Sequence, residues 1–149
     1  MANTYTSLFF HVVFSVKERR KLLDKKLQDE LYPYIVGIGK AKNFQIIAVN
    51  GTMDHIHILM LLKPDMSVAK AVQFVKANSS KWIHEKFNDL QIFAWQEGYG
   101  AFTVSLLQLP KVKQYIANQE KHHAKMDLKQ EYQQLLKMNN IEFEEKYLF

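Results

Sequence analysis

Between Gly51 and Leu62 the chain reads Gly-Thr-Met-Asp-His-Ile-His-Ile-Leu-Met-Leu-Leu, an apolar run that carries two histidines separated by one residue. Gly51 before it and Pro64-Asp65 after it bound the run at strand length. Its near-continuous apolar character asks for a central strand covered on both faces. Because strand side chains alternate, His55 and His57 leave one face, with Cα atoms roughly 6 to 7 Å apart, and Ile56, Ile58, Met60 and Leu62 leave the other. Two neutral imidazoles at that spacing can grip one metal ion. They can equally be hydrogen-bonded inside a half-buried sheet, and the spacing on its own does not choose. Whatever the fold, it must supply a layer above and a layer below this strand.

The rest of the chain offers both layers. Residues 4–16 are dense in β-branched and aromatic types and predict a long buried strand, with Leu8, Phe10, Val12, Phe14 and Val16 on one face. Phe9, His11 and Val13 share the other, where His11 is expected to be a hydrogen-bonded sheet histidine. After Asp24, an N-cap residue type, Leu27, Leu31, Ile35 and Ile38 recur at helical intervals, ending near Gly39 to Asn43. Pro33 is expected to kink or restart that helix. Phe44 to Asn50 forms a second strand, and Gly51 allows the turn that pairs it with the histidine strand as a hairpin. Ser67 caps a second helix bearing Val68, Val72, Val75, Trp82 and Ile83, interrupted by Asn78-Ser79-Ser80 for close packing or for a polar groove. Phe93 to Ser105 reads as an extended piece, a glycine-hinged loop and a fourth strand, with Phe93, Trp95, Phe102 and Trp82 taken as core. The order β-α-β-β-α-β predicts an α+β ferredoxin-like sandwich.

Past that core, about 4–106, Pro110 opens a helix expected over about 109–124 that carries Tyr115 and Gln119 on one face. A tail over 125–149 holds another helix from Asp127 to Lys137, with Tyr132, Leu135 and Leu136 as its apolar contacts, and Ile141 to Phe149 is apolar enough to dock. The whole of 1–149 is read as one domain.

Charge narrows the class of partner. Twenty Lys and Arg against fifteen Asp and Glu leave +5, a modest bias toward polyanions. The clusters Lys17 to Lys26, Lys76 to Lys86 and Lys111 to Lys125 together make phosphate binding reasonable. With no cysteine, disulfides and cysteinyl metal sites are excluded, which suits a reducing cytoplasm. No apolar run is long enough to span a bilayer, and the N-terminus lacks the layout of a signal peptide, so a cytoplasmic protein is expected.

Three stretches in this order, Asp-His-Ile-His at 54–57, Gly-Tyr-Gly-Ala-Phe-Thr-Val-Ser at 98–105 and Tyr-Ile-Ala-Asn-Gln-Glu-Lys-His-His at 115–123, resemble the single-tyrosine HUH transposases of the insertion sequence 200/605 family. The similarity runs from about Thr4 to His123, including Phe14 to Arg20 and Lys76 to Trp82; Leu106 and Leu107 depart from the polar, serine-containing sequence expected before the tyrosine helix. The resemblance implies that His55 and His57 are metal ligands, Gln119 is the third and Tyr115 is the nucleophile. It implies further a homodimer in which one subunit's tyrosine helix can complete the other's site, acting on single-stranded DNA with subterminal hairpins. Cleavage would leave a 5′-phosphotyrosine and a free 3′-hydroxyl.

The residue types suit that chemistry. A phenol with pKa near 10 is a weak nucleophile at neutral pH, and a divalent cation on the phosphate offsets the developing charge. Mg²⁺ is expected, with Mn²⁺ substituting, although imidazoles favour the softer ion. His122 and His123 are expected to lie too far along the helix for the same ion and to contact phosphate or solvent. Two rival readings remain: an HUH nuclease of the replication-initiator or relaxase type, and a non-catalytic single-strand-binding module that stacks bases on sheet aromatics. The second lacks the basic-Gly-aromatic pattern on its third strand, where histidines stand.

Overall fold

The structure, a computed structural model, describes residues 3–148; Met1, Ala2 and Phe149, the last residue of the expected docking tail, lie outside them. Its centre is one four-stranded antiparallel sheet in the order β2-β3-β1-β4, built from β1 (Leu8–Ser15), β2 (Gln45–Gly51), β3 (His55–Leu62) and β4 (Gly100–Val104). Helices α1 (Lys25–Ala41) and α2 (Val68–Lys86) make the two crossovers, which gives the expected ferredoxin-like sandwich. The first strand starts at Leu8 rather than Thr4 because its partner runs out: Leu8 pairs with Leu62, the last residue of β3.

One face of the sheet carries the main core. Val12, Phe14, Ile56, Ile58 and Met60 meet Leu27, Leu31 and Ile35 of α1 and Val72, Val75 and Ile83 of α2, all essentially buried. Each such side chain is worth about 1.5 to 3 kcal/mol relative to exposure. Both helices begin where their cap residues place them: Asp24 accepts from the Leu27 amide at 2.9 Å and Ser67 from the Lys70 amide at 3.1 Å. Contrary to the expected kink or restart, α1 runs through Pro33 as one helix. Pro33 lies on the exposed side, where water can satisfy the carbonyl that loses its amide partner. The Asn78-Ser79-Ser80 interruption is close packing: buried Ser79 donates to the Val75 carbonyl at 2.6 Å and accepts from the Trp95 indole at 2.9 Å.

The other face, which bears the histidines, is covered by everything after β4. A 3-10 turn capped by Ser105 leads into α3 (Leu109–Ala117), followed by α4 (Gln119–His123) and α5 (Leu128–Met138). Ile116 packs on Leu59 and Val104, while Tyr132, Leu136 and Leu148 pack on Val13 and Phe102. The tail therefore docks, as its apolar composition led one to expect. Leu106 and Leu107 point outward, Leu107 being 92% exposed.

The expected single helix over 109–124 is divided at Asn118, which has φ −100° and ψ 23°. Asn50 at the end of β2 explains the division, because its side-chain amide donates to the Ile116 carbonyl at 2.9 Å and to the Ala117 carbonyl at 3.2 Å. An unbroken helix would use those two carbonyls for the amides four residues on. Two glycines are required by close approach: a Cβ at Gly51 would collide with the His55 carbonyl, and one at Gly100 would lie 2.6 Å from the Tyr132 ring of α5.

Candidate active site

His55 and His57 leave the same face of β3 and are fully buried, with ring centroids 5.1 Å apart. Each has its outer nitrogen fixed. The Nδ1 of His55 lies 2.8 Å from an Asp54 carboxylate oxygen and 3.0 Å from the Thr52 hydroxyl, which together orient the ring and turn Nε2 toward the interior of the site. The Nδ1 of His57 lies 2.8 Å from Nε2 of His11, one strand over on β1. His11 is thus the hydrogen-bonded sheet histidine expected from its sequence, and its partner is a site residue. Buried at 5% exposure, it also stacks against His57 at 5.0 Å.

The two Nε2 atoms point at a carboxylate. Oε1 of Glu131, on α5, stands 3.0 Å from His57 Nε2, 3.4 Å from His55 Nε2 and 2.8 Å from His123 Nε2. Its other oxygen, Oε2, accepts a hydrogen bond from the Tyr115 hydroxyl and another from the Gln119 amide at 3.3 Å, and lies 3.4 Å from His122 Nε2. The Gln119 side chain is fully buried, with its carbonyl oxygen 3.3 Å from His55 Nε2. One carboxylate therefore faces the imidazoles with one oxygen and the phenol with the other.

Burial opposes the Glu131 charge, but hydrogen bonds from His123, His55 and His57 outweigh it and hold the carboxyl far below the usual range. Burial likewise acts against His55, whose pKa the Asp54 and Glu131 carboxylates nonetheless raise to about 9. For His57 burial prevails and lowers it to about 4, and for His11 burial with His57 nearby lowers it to about 3. The phenol of Tyr115 is pushed well above its ordinary value, by burial first and by Glu131 next.

All four residues singled out from the sequence, His55, His57, Tyr115 and Gln119, meet in this cluster within one chain. The expectation that His122 and His123 lie too far along the helix does not hold. His122 Nε2 lies 3.3 Å from the Tyr115 hydroxyl, and His123 Nε2 2.8 Å from Glu131 Oε1. The His123 ring lies against that of His55, 4.5 Å between centroids and tilted by 58°. Tyr115, Gln119 and His123 follow one another at intervals of four, a pattern that could have flagged the third imidazole. Glu131 was missed altogether. Its signal was a carboxylate on the same helical stripe as Leu128, Tyr132 and Leu135.

The donor atoms of His55, His57, His123 and Glu131 all lie within 4.8 Å of one another, so a single cation can reach the set. Three imidazoles and a carboxylate suit a borderline divalent transition ion. Basic side chains flank this face of the molecule at Lys111, Lys113, Lys121 and Lys125, each exposed.

Residues 4–119 match the family model described as "Transposase IS200 like". The transposase of insertion sequence element IS200 from Salmonella typhimurium is 29% identical over 124 residues, covering 80% of this chain and 81% of that one. The ISDra2 transposase TnpA of Deinococcus radiodurans is 23% identical over 117 residues, 75% of this chain and 84% of its own. Among solved structures, a REP-associated tyrosine transposase bound to a REP hairpin superposes with a TM-score of 0.61 at 17% identity, over 83% of this chain and 73% of that one. A Deinococcus radiodurans R1 chain described as a transposase gives 0.66 at 22%, over 80% and 95%. These two likenesses share the fold, and the family match spans the sheet, both crossover helices and the tyrosine helix. The chain belongs to the IS200-like transposase family.

Proposed function

We propose that this transposase cuts and rejoins single-stranded DNA through a covalent 5′-phosphotyrosine on Tyr115. The observation that carries the reading is the convergence of a phenol hydroxyl and three imidazole Nε2 atoms on the two oxygens of Glu131. Such an arrangement ties the position of a nucleophile to the position of a cation within a few ångströms. Well-oriented reactants of that kind can be worth roughly 7 to 11 kcal/mol of barrier.

His55 and His57 are assigned as the anchoring ligands, because Asp54 and His11 fix their Nδ1 atoms and so aim their Nε2 lone pairs. Gln119 Oε1, His123 Nε2 and Glu131 Oε1 reach the same point from the helices. A divalent ion bound there supplies charge stabilisation on the phosphate. The imidazole-rich set weights the choice toward Mn²⁺, with Mg²⁺ as the ion to compare. In the attack, the Tyr115 oxygen forms a bond to phosphorus while the bond from phosphorus to the 3′-oxygen breaks. Glu131 Oε2 accepts the phenolic hydrogen bond and so aims the oxygen, the phenolic proton passes to water as the bond to phosphorus forms, and the departing 3′-oxygen takes a proton from water. Rejoining runs the same steps backward, so the energy of the broken bond is kept in the phosphotyrosine. The exposed lysines around α3 and α4 face the strand's phosphates.

Because Tyr115 meets the histidines of its own chain, the chemistry is complete in one protomer; a homodimer would serve to bring two DNA ends together. Hairpins near those ends are the proposed recognition element, in keeping with the REP hairpin carried by the structural neighbour. The test is a denaturing gel of protein incubated with single-stranded element-end DNA. A covalent adduct is expected with Mn²⁺, none with EDTA, and none from Tyr115→Phe, which should still bind DNA within about twofold. An undiminished adduct from that variant would show that another residue is the nucleophile.

A further inference from the structure

A groove of about 350 Å³ runs between α3 and α5 and borders both Tyr115 and His11. We propose that it seats one unpaired nucleotide of the DNA strand, the one adjacent to the phosphate under attack, and reads its base. This rests on the strand-cleavage reading above. Once a phosphate is in contact with the Tyr115 hydroxyl, the sugar and base on one side must occupy space next to that residue, and this groove is such a space. Its volume matches a single small ligand rather than a run of nucleotides.

The walls suit a base. Phe102 and Val104 of β4 form an apolar floor, Val112 and Tyr115 one side, and Leu135 and Met138 the other. Met138 is 79% exposed despite its apolar thioether, and a flexible, polarisable side chain in that position can close over a flat ring. Aromatic and thioether surfaces hold bases by stacking whatever their identity. Identity is read by hydrogen bonds at the rim, where Gln108 and Gln134 have side-chain amides with no hydrogen-bond partner among the described residues. An amide offers both donor and acceptor, and glutamine can meet two positions of one base edge. Lys111 at the same rim supplies a cation for the adjoining phosphate.

The experiment has a binding arm and a reaction arm, both on the full chain. In the first, the four 2′-deoxynucleoside 5′-monophosphates are titrated without metal while the methyl resonances of Val112, Leu135 and Met138 are followed by NMR. Shifts at these methyls are expected, unequal among the four bases, and absent from Val112→Trp, which fills the groove. In the second, adduct formation is measured on single-stranded oligonucleotides varied at the positions flanking the cut. Wild type should prefer one base at one flanking position by about tenfold, and the surface variants Gln134→Ala and Gln108→Ala should flatten that preference, raising KM more than they lower kcat. Neither surface change threatens folding, so the proposal stays testable if Val112→Trp does not fold.

Nucleotides that shift methyls elsewhere, or Gln108 and Gln134 variants with the wild-type base preference and KM, overturn the groove while leaving the phosphotyrosine chemistry standing. Groove methyls that respond to nucleotides in a protein forming no adduct with any DNA would support the groove as a nucleotide site and remove the chemistry instead.

Discussion

Glu131 is the residue on which the site's two halves depend, since one oxygen faces His55, His57 and His123 and the other faces Tyr115 and Gln119. Glu131→Gln keeps its shape and one accepting oxygen but removes the charge, so adduct formation in single turnover should fall by about 10² to 10³-fold while DNA binding persists. A full rate in that variant would remove Glu131 from the chemistry. The buried histidines also set a pH optimum of stability in metal-free protein. His11 and His57 have folded pKa values of about 3 and 4 against 6.5 when free, so below pH 6.5 the unfolded chain binds more protons and stability is lost as pH falls. His55 is raised to about 9, so its contribution is complete below pH 6.5 and is lost as pH rises through 9. Melting temperatures in EDTA should therefore peak near pH 6.5, and His55→Gln should erase the decline on the alkaline side. A Tm that climbs steadily from pH 6.5 to 9 in wild type would contradict this account.

At the scale of elements, what the sequence could and could not reveal follows from the range of the interactions. Asp24, Ser67 and the alternation along β3 act within a few residues, and each element they define is where local pattern put it. The break at Asn118 was illegible because its cause is 66 residues away: Asn50 takes carbonyls of α3 that a helix would otherwise use itself. Asn50→Ala should cost about 1 kcal/mol or more in stability and let α3 and α4 realign, drawing His122 and His123 away from the site. Increased hydrogen-exchange protection at the Glu120 and Lys121 amides, which gain the Ile116 and Ala117 carbonyls as partners, with the sheet unchanged is the expected signature; identical protection would mean that the break has a local cause. The contact between β4 and α5 was hidden for the same reason. Gly100 and Tyr132 fit only because Gly100 has no Cβ, so Gly100→Ala should push α5 outward and lower adduct formation through Glu131. Tyr132→Leu, which vacates the colliding ring, should restore part of the rate to Gly100→Ala; no restoration would place the defect elsewhere.

Across the whole molecule, the sheet's two faces have different sources of stability. The α1 and α2 face buries a continuous apolar core, whereas α3 to α5 rest on two small apolar clusters and on the polar cluster between residues of β3, α4 and α5. A cation bridging His55 and His57 of β3, His123 of α4 and Glu131 of α5 would therefore fasten the C-terminal helices to the sheet as well as serve the reaction. Ligand binding to the folded state alone at a hundred times Kd adds about 2.7 kcal/mol, which for a domain of this size raises Tm by about 5 to 10 °C. The rise should be larger with Mn²⁺ than with Mg²⁺ at equal concentration, because imidazole nitrogen is a poor donor to the harder ion. Hydrogen exchange locates the effect: slowing should be concentrated in Gln119 to His123 and Leu128 to Met138, with the amides of α1 and α2 nearly unchanged. Double substitution His55→Gln and His57→Gln should abolish both the Tm shift and the local slowing. Equal slowing on both faces of the sheet, or a Tm rise that survives the double substitution, would place the ion somewhere other than between β3 and the C-terminal helices.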